Sequence, residues 1–225
     1  NGNNPTAESP PFTVDLTPPT AAVTVDTSIF SPNGDGRKDT VTVYQETSEE
    51  IGWAGLLLDA DGEPVLTLFW RGQADSPLEW DGRGSDGLLL PDGQYRYVVR
   101  TADRAGNEAQ ASTSPITLDT EEKPVLLTAN LGAFSPNGSG RQDELILAPD
   151  LRTSERVESH RLEILDESGR AVRSIRRAGS PQGPFVWDGR NDQGLPVEEG
   201  TYRGRLSVVY ESGDAGAYYV GRDWT

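Results

Sequence analysis

Three side chains that carry oxygen lie close together in the segment FSPNGDGRKDT, residues 30–40. They are Asn33, Asp35 and Asp39, and the glycines between them permit tight turns. Calcium takes six to eight oxygen ligands from a flexible loop, so this pattern can supply part of a calcium site. The spacing is not that of an EF-hand, because Thr42 stands near the position where that loop needs an acidic residue.

Further calcium ligands would come from the backbone or from a second acidic segment, WDGRGSDG. If the strands alternate up and down, this segment and FSPNGDG fall at the same end of the fold. One prediction is therefore a calcium site formed by Asn33, Asp35, Asp39, Asp81 and Asp86.

The alternative interpretation of the same segment is turn chemistry, in which Asp39 caps backbone amides and the glycines adopt left-handed angles. The segment returns 104 residues later as FSPNGSGRQDE, with Ser139 in place of Asp35. Serine can also form local hydrogen bonds in a turn, whereas a calcium site would lose a charged oxygen ligand. The exchange favours the turn, with calcium as an elaboration of the first copy.

The sequence consists of internal repeats throughout its length. Trp80 and Trp187 are 107 residues apart, as are Tyr95 and Tyr202. The opening NGNNPTAESPPFTVDLTPP aligns with AGNEAQASTSPITLDTEEKP at an offset of 104. We therefore expect residues 1–17 to be the last strand and linker of a preceding repeat. Repeat 1 follows at 18–119, then a linker at 120–123 and repeat 2 at 124–225.

Within each repeat the apolar residues have a period of two, as in VTVYQ, PVLTLFW, HRLEILD and YRGRLSVVY. Short runs of this kind, separated by Gly, Asp and Asn turns, predict antiparallel strands. The best helix candidate starts at Leu151, but its second half alternates like a strand. The predicted fold class is all-β, with tandem Ig-like or fibronectin-III-like sandwiches.

Composition excludes several functions. The net charge of −16 disfavours nucleic acid as a partner, and no apolar run is long enough to insert in a membrane. Cysteine is absent, and His160 is the single histidine, expected to be an inert surface residue at a strand start. Neither a nucleophile elbow nor a phosphate-binding loop is present. We predict that this chain is not an enzyme.

The repeated aromatic residues have two interpretations. Trp80 and Trp187, each followed by Asp-Gly, resemble a carbohydrate-stacking platform, but a tryptophan that ends a strand is more often part of the core. Tyr95 and Tyr202 resemble corner tyrosines that tie down a loop.

The motifs FSPNGDG and WDGR…G…LPDGQY resemble the Ig-like domain of bacterial flagellar hook-capping proteins. They also resemble related repeats of large surface and periplasmic proteins of spirochaetes and other Gram-negative bacteria. TADRAGN…ITLDT resembles the strand-end signature of Ig-like repeats in long adhesins. Repeats of this kind serve as stalks, spacers and scaffolds, so the resemblance predicts the fold better than the function.

The adhesin resemblance implies a second calcium position, at a junction between repeats. Asp103 and Asn107, with Asp15 or Asp119 at the linkers, would hold the ion and stiffen a rod. The competing interpretation is an Asx turn between the last two strands of the repeat.

These observations together predict a non-catalytic spacer in a large extracytoplasmic bacterial protein, located in the periplasm, on the cell surface or secreted. The alternatives are an adhesin module that binds protein or glycan, and a hook-cap-like assembly scaffold. The expected partners are neighbouring repeats of the same chain and other protein subunits, and the only expected cofactor is Ca²⁺. The segment Asn1–Asp15 adds one further hypothesis, that it pairs with the sheet edge of a neighbouring subunit.

Overall fold

The computed structural model describes residues 8–220, and every regular element in that range is a β-strand. This confirms the all-β prediction. The described residues therefore include no helix that could cross a membrane. The strands, numbered in chain order, are β1 Ala21–Val25, β2 Ile29–Phe30, β3 Val41–Thr47, β4 Glu50–Leu58, β5 Pro64–Gly72, β6 Leu78–Trp80, β7 Gly93–Ala102, β8 Glu108–Ser112, β9 Ile116–Leu118, β10 Val125–Ala129, β11 Leu145–Leu151, β12 Val157–Leu165, β13 Ala171–Ala178, β14 Phe185–Trp187, β15 Arg203–Tyr210 and β16 Ala215–Val220.

The chain forms two compact units. The first comprises the residues up to Ser28 together with Val41–Thr117. The second comprises Ile29–Thr40 and the residues from Leu118 onward. The loop FSPNGDG thus belongs to the second unit.

The first unit contains two antiparallel sheets. One has the order β1-β3-β6, and the other runs β9-β7-β4-β5, with β8 also pairing with β7. The strands alternate between buried and exposed residues, as a half-buried sheet requires. Val43, Trp53, Leu57, Tyr97 and Val99 meet in the core between the sheets, each at most 3% exposed.

The second unit repeats this plan. Its sheets have the orders β10-β11-β14 and β13-β12-β15-β16, and all pairs are antiparallel. Leu147, Leu162, Ile164, Leu206 and Val208 form the centre of its core, each at most 2% exposed. Both units are therefore small sandwiches, with β5 and β13 at corresponding sheet edges.

The segment that follows Leu151, the best helix candidate in the sequence, is not helical. Its second half is strand β12, Val157–Leu165. Leu162 and Ile164 point into the core, and the sheet pairs β12 with both β13 and β15. The segment forms a strand because apolar residues with a period of two share one face of a strand. In a helix they would not all face the core.

Candidate functional site

The carboxylate of Asp39 closes the FSPNGDG loop. Its two oxygens accept hydrogen bonds from the amides of Gly34 at 2.7 Å and Gly36 at 2.8 Å. Both glycines have φ of +81°, the left-handed region that other residues avoid. In the second copy, Asp143 accepts from two glycine amides in the same way, at 3.0 and 2.5 Å. The loop is thus held by a carboxylate that caps amides.

The position that differs between the copies performs the same task in both. Asp35 accepts the amide of Arg37 at 2.8 Å, and the hydroxyl of Ser139 accepts the amide of Arg141 at 3.4 Å. Asn33, two residues before Asp35, accepts the amide of Asp35 through its side-chain oxygen at 3.0 Å. Serine can therefore replace aspartate here without loss of the turn.

Asp81 and Asp86, the other predicted calcium ligands, lie in the first unit. Asp81 accepts the amide of Arg83 at 3.2 Å and forms an exposed ion pair with its guanidinium group. Asp86 accepts the amide of Leu88 at 2.9 Å. Within residues 8–220, no group of three or more acidic or histidine side chains is placed so that it could hold a metal ion. The donor set fits calcium only in part, and the five-residue site stays a prediction.

The predicted junction residues Asp103 and Asn107 contact each other within one turn. Asp103 accepts the amides of Ala105 at 2.8 Å and Asn107 at 2.9 Å, and the Asn107 side-chain amide at 2.8 Å. That hydrogen bond from the Asn107 side chain is the main cause of an Asp103 pKa below the usual value. The Asn107 amide also lies 3.3 Å from the carbonyl oxygen of Asp15. The arrangement is an Asx turn, and a calcium role for these residues stays a prediction.

Asp119, the last predicted junction residue, belongs to a buried ion cluster in the second unit. Lys123 lies at its centre, with a side chain only 5% exposed. Its Nζ lies 3.2 Å from Asp119, 3.1 Å from Glu155 and 2.6 Å from Asp214, and donates to the carbonyl of Glu121 at 3.0 Å. We call Asp119, Lys123, Glu155 and Asp214 the lysine cluster.

The electrostatics of the lysine cluster favour a charged lysine. Burial alone would lower the Lys123 pKa, but hydrogen bonds to Asp214, Glu155 and Asp119 outweigh it and raise the pKa. Three carboxylates around one ammonium are the reverse of a cation site, because the positive charge is already supplied. Within the second unit, the cluster stabilises the loop in which it lies.

The FSPNGDG loop reaches the same cluster. The side-chain amide of Asn33 donates to Asp214 at 2.5 Å, and the ammonium group of Lys38 donates to the carbonyl of Glu211 at 2.6 Å. The sequence held one signal of this arrangement: Lys38 and Lys123 are the two lysines of a chain whose other basic residues are arginines. Neither lysine was predicted to be a functional residue.

The two tryptophans are core residues. Trp80 and Trp187 are each 4% exposed, and their indole N–H groups donate to the carbonyls of Arg83 at 3.0 Å and Arg190 at 2.9 Å. Each arginine in turn donates to the carbonyl of a glycine four residues on, at 2.9 and 2.8 Å. Neither indole is available to stack on a sugar.

The tyrosines confirm the corner prediction. The Tyr95 hydroxyl donates to the carbonyl of Pro91 at 2.6 Å, and the Tyr202 hydroxyl to that of Glu198 at 2.7 Å. Each ring meets the tryptophan of its own copy edge-on, with centroids 5.3 Å apart. We call the triplet Trp80, Arg83 and Tyr95 the core brace of the first unit. The core brace of the second unit is the triplet Trp187, Arg190 and Tyr202.

His160 is not at the surface, so that expectation was wrong. It is 3% exposed in β12, its Nδ1 lies 2.6 Å from the carbonyl oxygen of Gly179, and its ring packs against Phe185 at 5.7 Å between centroids. The reason is its phase in the strand, because His160 alternates with the buried Leu162 and Ile164.

Comparison with known proteins gives one family match. The sequence model of the FlgD Ig-like domain matches residues 144–214, which lie in the second unit. A search of curated protein sequences finds no match.

Several solved structures are similar to this chain. A tetra-tandem repeat from the extending region of a large adhesion protein is 15% identical, covers 90% of this chain and has a TM-score of 0.38. The fibronectin(III)-like modules of Clostridium thermocellum CbhA are 11% identical over 88% of this chain and 91% of theirs, with a TM-score of 0.39.

A third structure belongs to a 1.5-MDa bacterial ice-binding adhesin, with 11% identity over 92% of this chain and 64% of that one, and a TM-score of 0.45. The chain spans 48% of the large adhesion protein structure. At these identities the likeness extends to the fold alone. The resemblance predicted from the repeated motifs is nevertheless confirmed, because residues 144–214 match the FlgD Ig-like domain.

Proposed function

We propose that the chain is a non-catalytic spacer of a large, extracytoplasmic, multi-repeat bacterial protein. The core brace is the observation that carries this proposal. It recurs 107 residues apart with the same donors, with backbone carbonyl acceptors at equivalent positions and with nearly the same distances. What the duplication retained is therefore the packing of a sandwich.

The polar loops support the same role. The carboxylates of Asp39 and Asp143 accept hydrogen bonds from backbone amides. The exchange of Asp35 for Ser139 retains a hydrogen bond within the turn. A duplicated binding site would be expected to retain the charge of its ligands. A duplicated turn needs only an acceptor of the right reach.

Single-molecule stretching tests the spacer proposal. We expect two discrete unfolding events, each lengthening the chain by about 35 nm, since ~100 residues extend by 3.3–3.6 Å each. Trp187→Ala should lower the force of one event and leave the other unchanged. Gradual extension without discrete events would contradict a mechanical spacer.

The second candidate function is adhesin-type binding, and one surface feature favours it. A shallow depression of about 750 Å³ in the first unit is lined by residues that include Ile51, Phe69, Trp70, Arg100 and Glu108. Ile51 is 60% exposed and Phe69 77% exposed. Exposed apolar and aromatic side chains near charged ones are common on recognition surfaces.

Binding to a glycan or protein array tests this second candidate. A ligand whose signal falls with Phe69→Ala, but not with the equivalent change at the exposed Val186, would support an adhesin module. A ligand equally well bound by the Phe69→Ala variant would place recognition elsewhere. The hook-cap-like scaffold, the third alternative, is supported by the family match over residues 144–214 and predicts a defined oligomer in solution.

A further inference from the structure

The edge strand β5 of the first unit is unusually apolar for a strand at the end of a sheet. Leu66, Leu68 and Trp70 alternate along it on the core side, opposite the buried Leu57 and Trp53 of β4. All three remain only half-buried. The rim of this core is therefore incompletely covered.

No described strand pairs with β5 on the side away from β4. The carbonyl of Val65 points to that side, where it accepts the amide of Ser85 at 3.0 Å. Further along the strand, the carbonyl of Trp70 faces Gly52 of β4. Because backbone groups alternate along a strand, the N–H and C=O groups of Thr67, Phe69 and Arg71 point away from β4. They form a row of donors and acceptors that a further strand can bond.

The corresponding edge in the second unit is protected. At the positions equivalent to Leu66, Leu68 and Trp70, strand β13 carries Arg173, Ile175 and Arg177. Charged residues on an edge strand oppose further pairing.

The backbone of that second edge is capped as well. The amide of Ser174 donates to the carboxylate of Asp192 at 3.1 Å. The equivalent residues of the first unit are Thr67 and Ser85, and there the Ser85 hydroxyl donates instead to the Val65 carbonyl at 3.2 Å. Although β5 also carries Arg71, the first edge thus lacks the two core-side arginines and the carboxylate cap of the second.

A segment of the same chain has the complementary pattern. Phe12, Val14 and Leu16 alternate with polar residues and are 82%, 73% and 82% exposed. No described strand pairs with this segment. At an offset of 104 residues, Phe12 and Val14 align with Ile116 and Leu118, which are fully buried in β9. The sequence is therefore suited to a sheet.

We propose that residues 11–16 of one copy of the chain add as a strand to β5 of a second copy. The three apolar side chains of the segment have the same period of two as Leu66, Leu68 and Trp70, and would cover them. The backbone of the segment would bond Thr67, Phe69 and Arg71. The contact is head-to-tail, so each copy offers one donor segment and one acceptor edge.

Sedimentation velocity over a range of concentrations tests the proposal on the full chain. We expect association that Val14→Asp and Thr67→Pro each weaken by about tenfold or more. Proline at Thr67 removes an N–H that points away from β4, so the internal pairing of the sheet is retained. Thr13→Asp, on the polar side of the segment, and Thr67→Val, which keeps the N–H, are the matched controls and should associate like the original chain.

Mixing the two defective variants gives the sharpest outcome. Val14→Asp retains the acceptor edge and Thr67→Pro retains the donor segment, so the mixture should form a one-to-one complex that neither forms alone. Should circular dichroism show that Thr67→Pro is unfolded, Leu66→Arg with Trp70→Arg replaces it, since this gives β5 the charges of β13.

Three results would overturn the proposal. One is a monomer at every concentration, which would assign the segment to a sandwich elsewhere in its own chain. The second is association that survives both Val14→Asp and the edge variants. The third is failure of the mixed variants to complement each other. The spacer proposal is independent of all three, because it rests on the core brace.

Discussion

The Nζ of Lys123 lies 2.6 Å from the carboxylate of Asp214, 91 residues later in the chain. Asp119 and Glu155 complete the lysine cluster around the same ammonium. Buried charges are tolerated only when paired, so removal of one partner leaves the others unpaired out of water.

Lys123→Met should therefore destabilise the second unit by about 3–5 kcal/mol, because three carboxylates lose their counter-charge. Urea unfolding measures the change. Arg152→Ala is the control, since its ion pair with Asp150 is largely exposed and should contribute at most about 1 kcal/mol. Equal effects of the two substitutions would contradict a buried cluster.

The corner tyrosines provide a matched pair. Tyr95→Phe and Tyr202→Phe should each cost about 0.5–1.5 kcal/mol, because each leaves a backbone carbonyl without its donor. Tyr44→Phe, at an exposed tyrosine in β3, should change the free energy of unfolding by less than either. Very different costs at Tyr95 and Tyr202 would show that the two braces are not equivalent.

The repeated loop predicts opposite tolerances for two neighbouring aspartates. Asp39→Ala should lower stability by about 1–2 kcal/mol, as loss of a capping side chain does, because two amides lose their acceptor. Asp35→Ser should stay within about 0.5 kcal/mol, since the second copy already has serine there. Thermal unfolding of both variants decides. A severe loss with Asp35→Ser would assign that carboxylate a role beyond the turn.

The Asx turn at Asp103 predicts a pH effect of known sign. The Asp103 pKa is depressed in the folded chain, chiefly by the hydrogen bond from Asn107. Its contribution to stability is thus present above the unfolded value of about 3.9 and is lost as pH falls through the folded pKa. NMR titration of the carboxyl group should show this, and Asn107→Ala should move the pKa back toward the ordinary value. An unchanged pKa in that variant would contradict the assignment.

Calcium is tested by thermal unfolding with millimolar Ca²⁺ against chelator. A ligand that binds only the folded state raises the transition temperature. The turn interpretation predicts no rise, because the loop oxygens already accept amides. A rise abolished by Asp35→Ala would establish a metal site in the FSPNGDG loop. A rise that Asp103→Ala abolishes would place it at the Asp103–Asn107 turn.

Features fixed by local pattern could be predicted from the sequence. The strands followed from the period of two, the corner role of Tyr95 and Tyr202 from their spacing after Gly, and the capping role of Asp39 from the turn residues around it. His160 was misplaced even though its phase with Leu162 and Ile164 was readable. The same period of two that buries Leu162 and Ile164 places His160 on the core side of the strand.

Features that join distant segments could not be predicted in this way. Lys123 meets Glu155 and Asp214 only once the chain has folded, and no spacing rule connects those three positions. The sequence shows that β13 has arginines where β5 has Leu66 and Trp70. This difference affects strand pairing only because both strands lie at the edge of a sheet. That information comes from the pairing of strands, which a single sequence does not state.

The core brace is also short along the chain, because Trp80, Arg83 and Tyr95 all lie between residues 80 and 95. Contacts this local cost little loop-closure entropy, so they can form early, while the ribosome is still adding residues. In a chain that carries the same motif twice, early local closure has a second benefit. The residues of the first copy form their contacts with one another before the second copy leaves the ribosome. This order limits mispairing between the similar repeats.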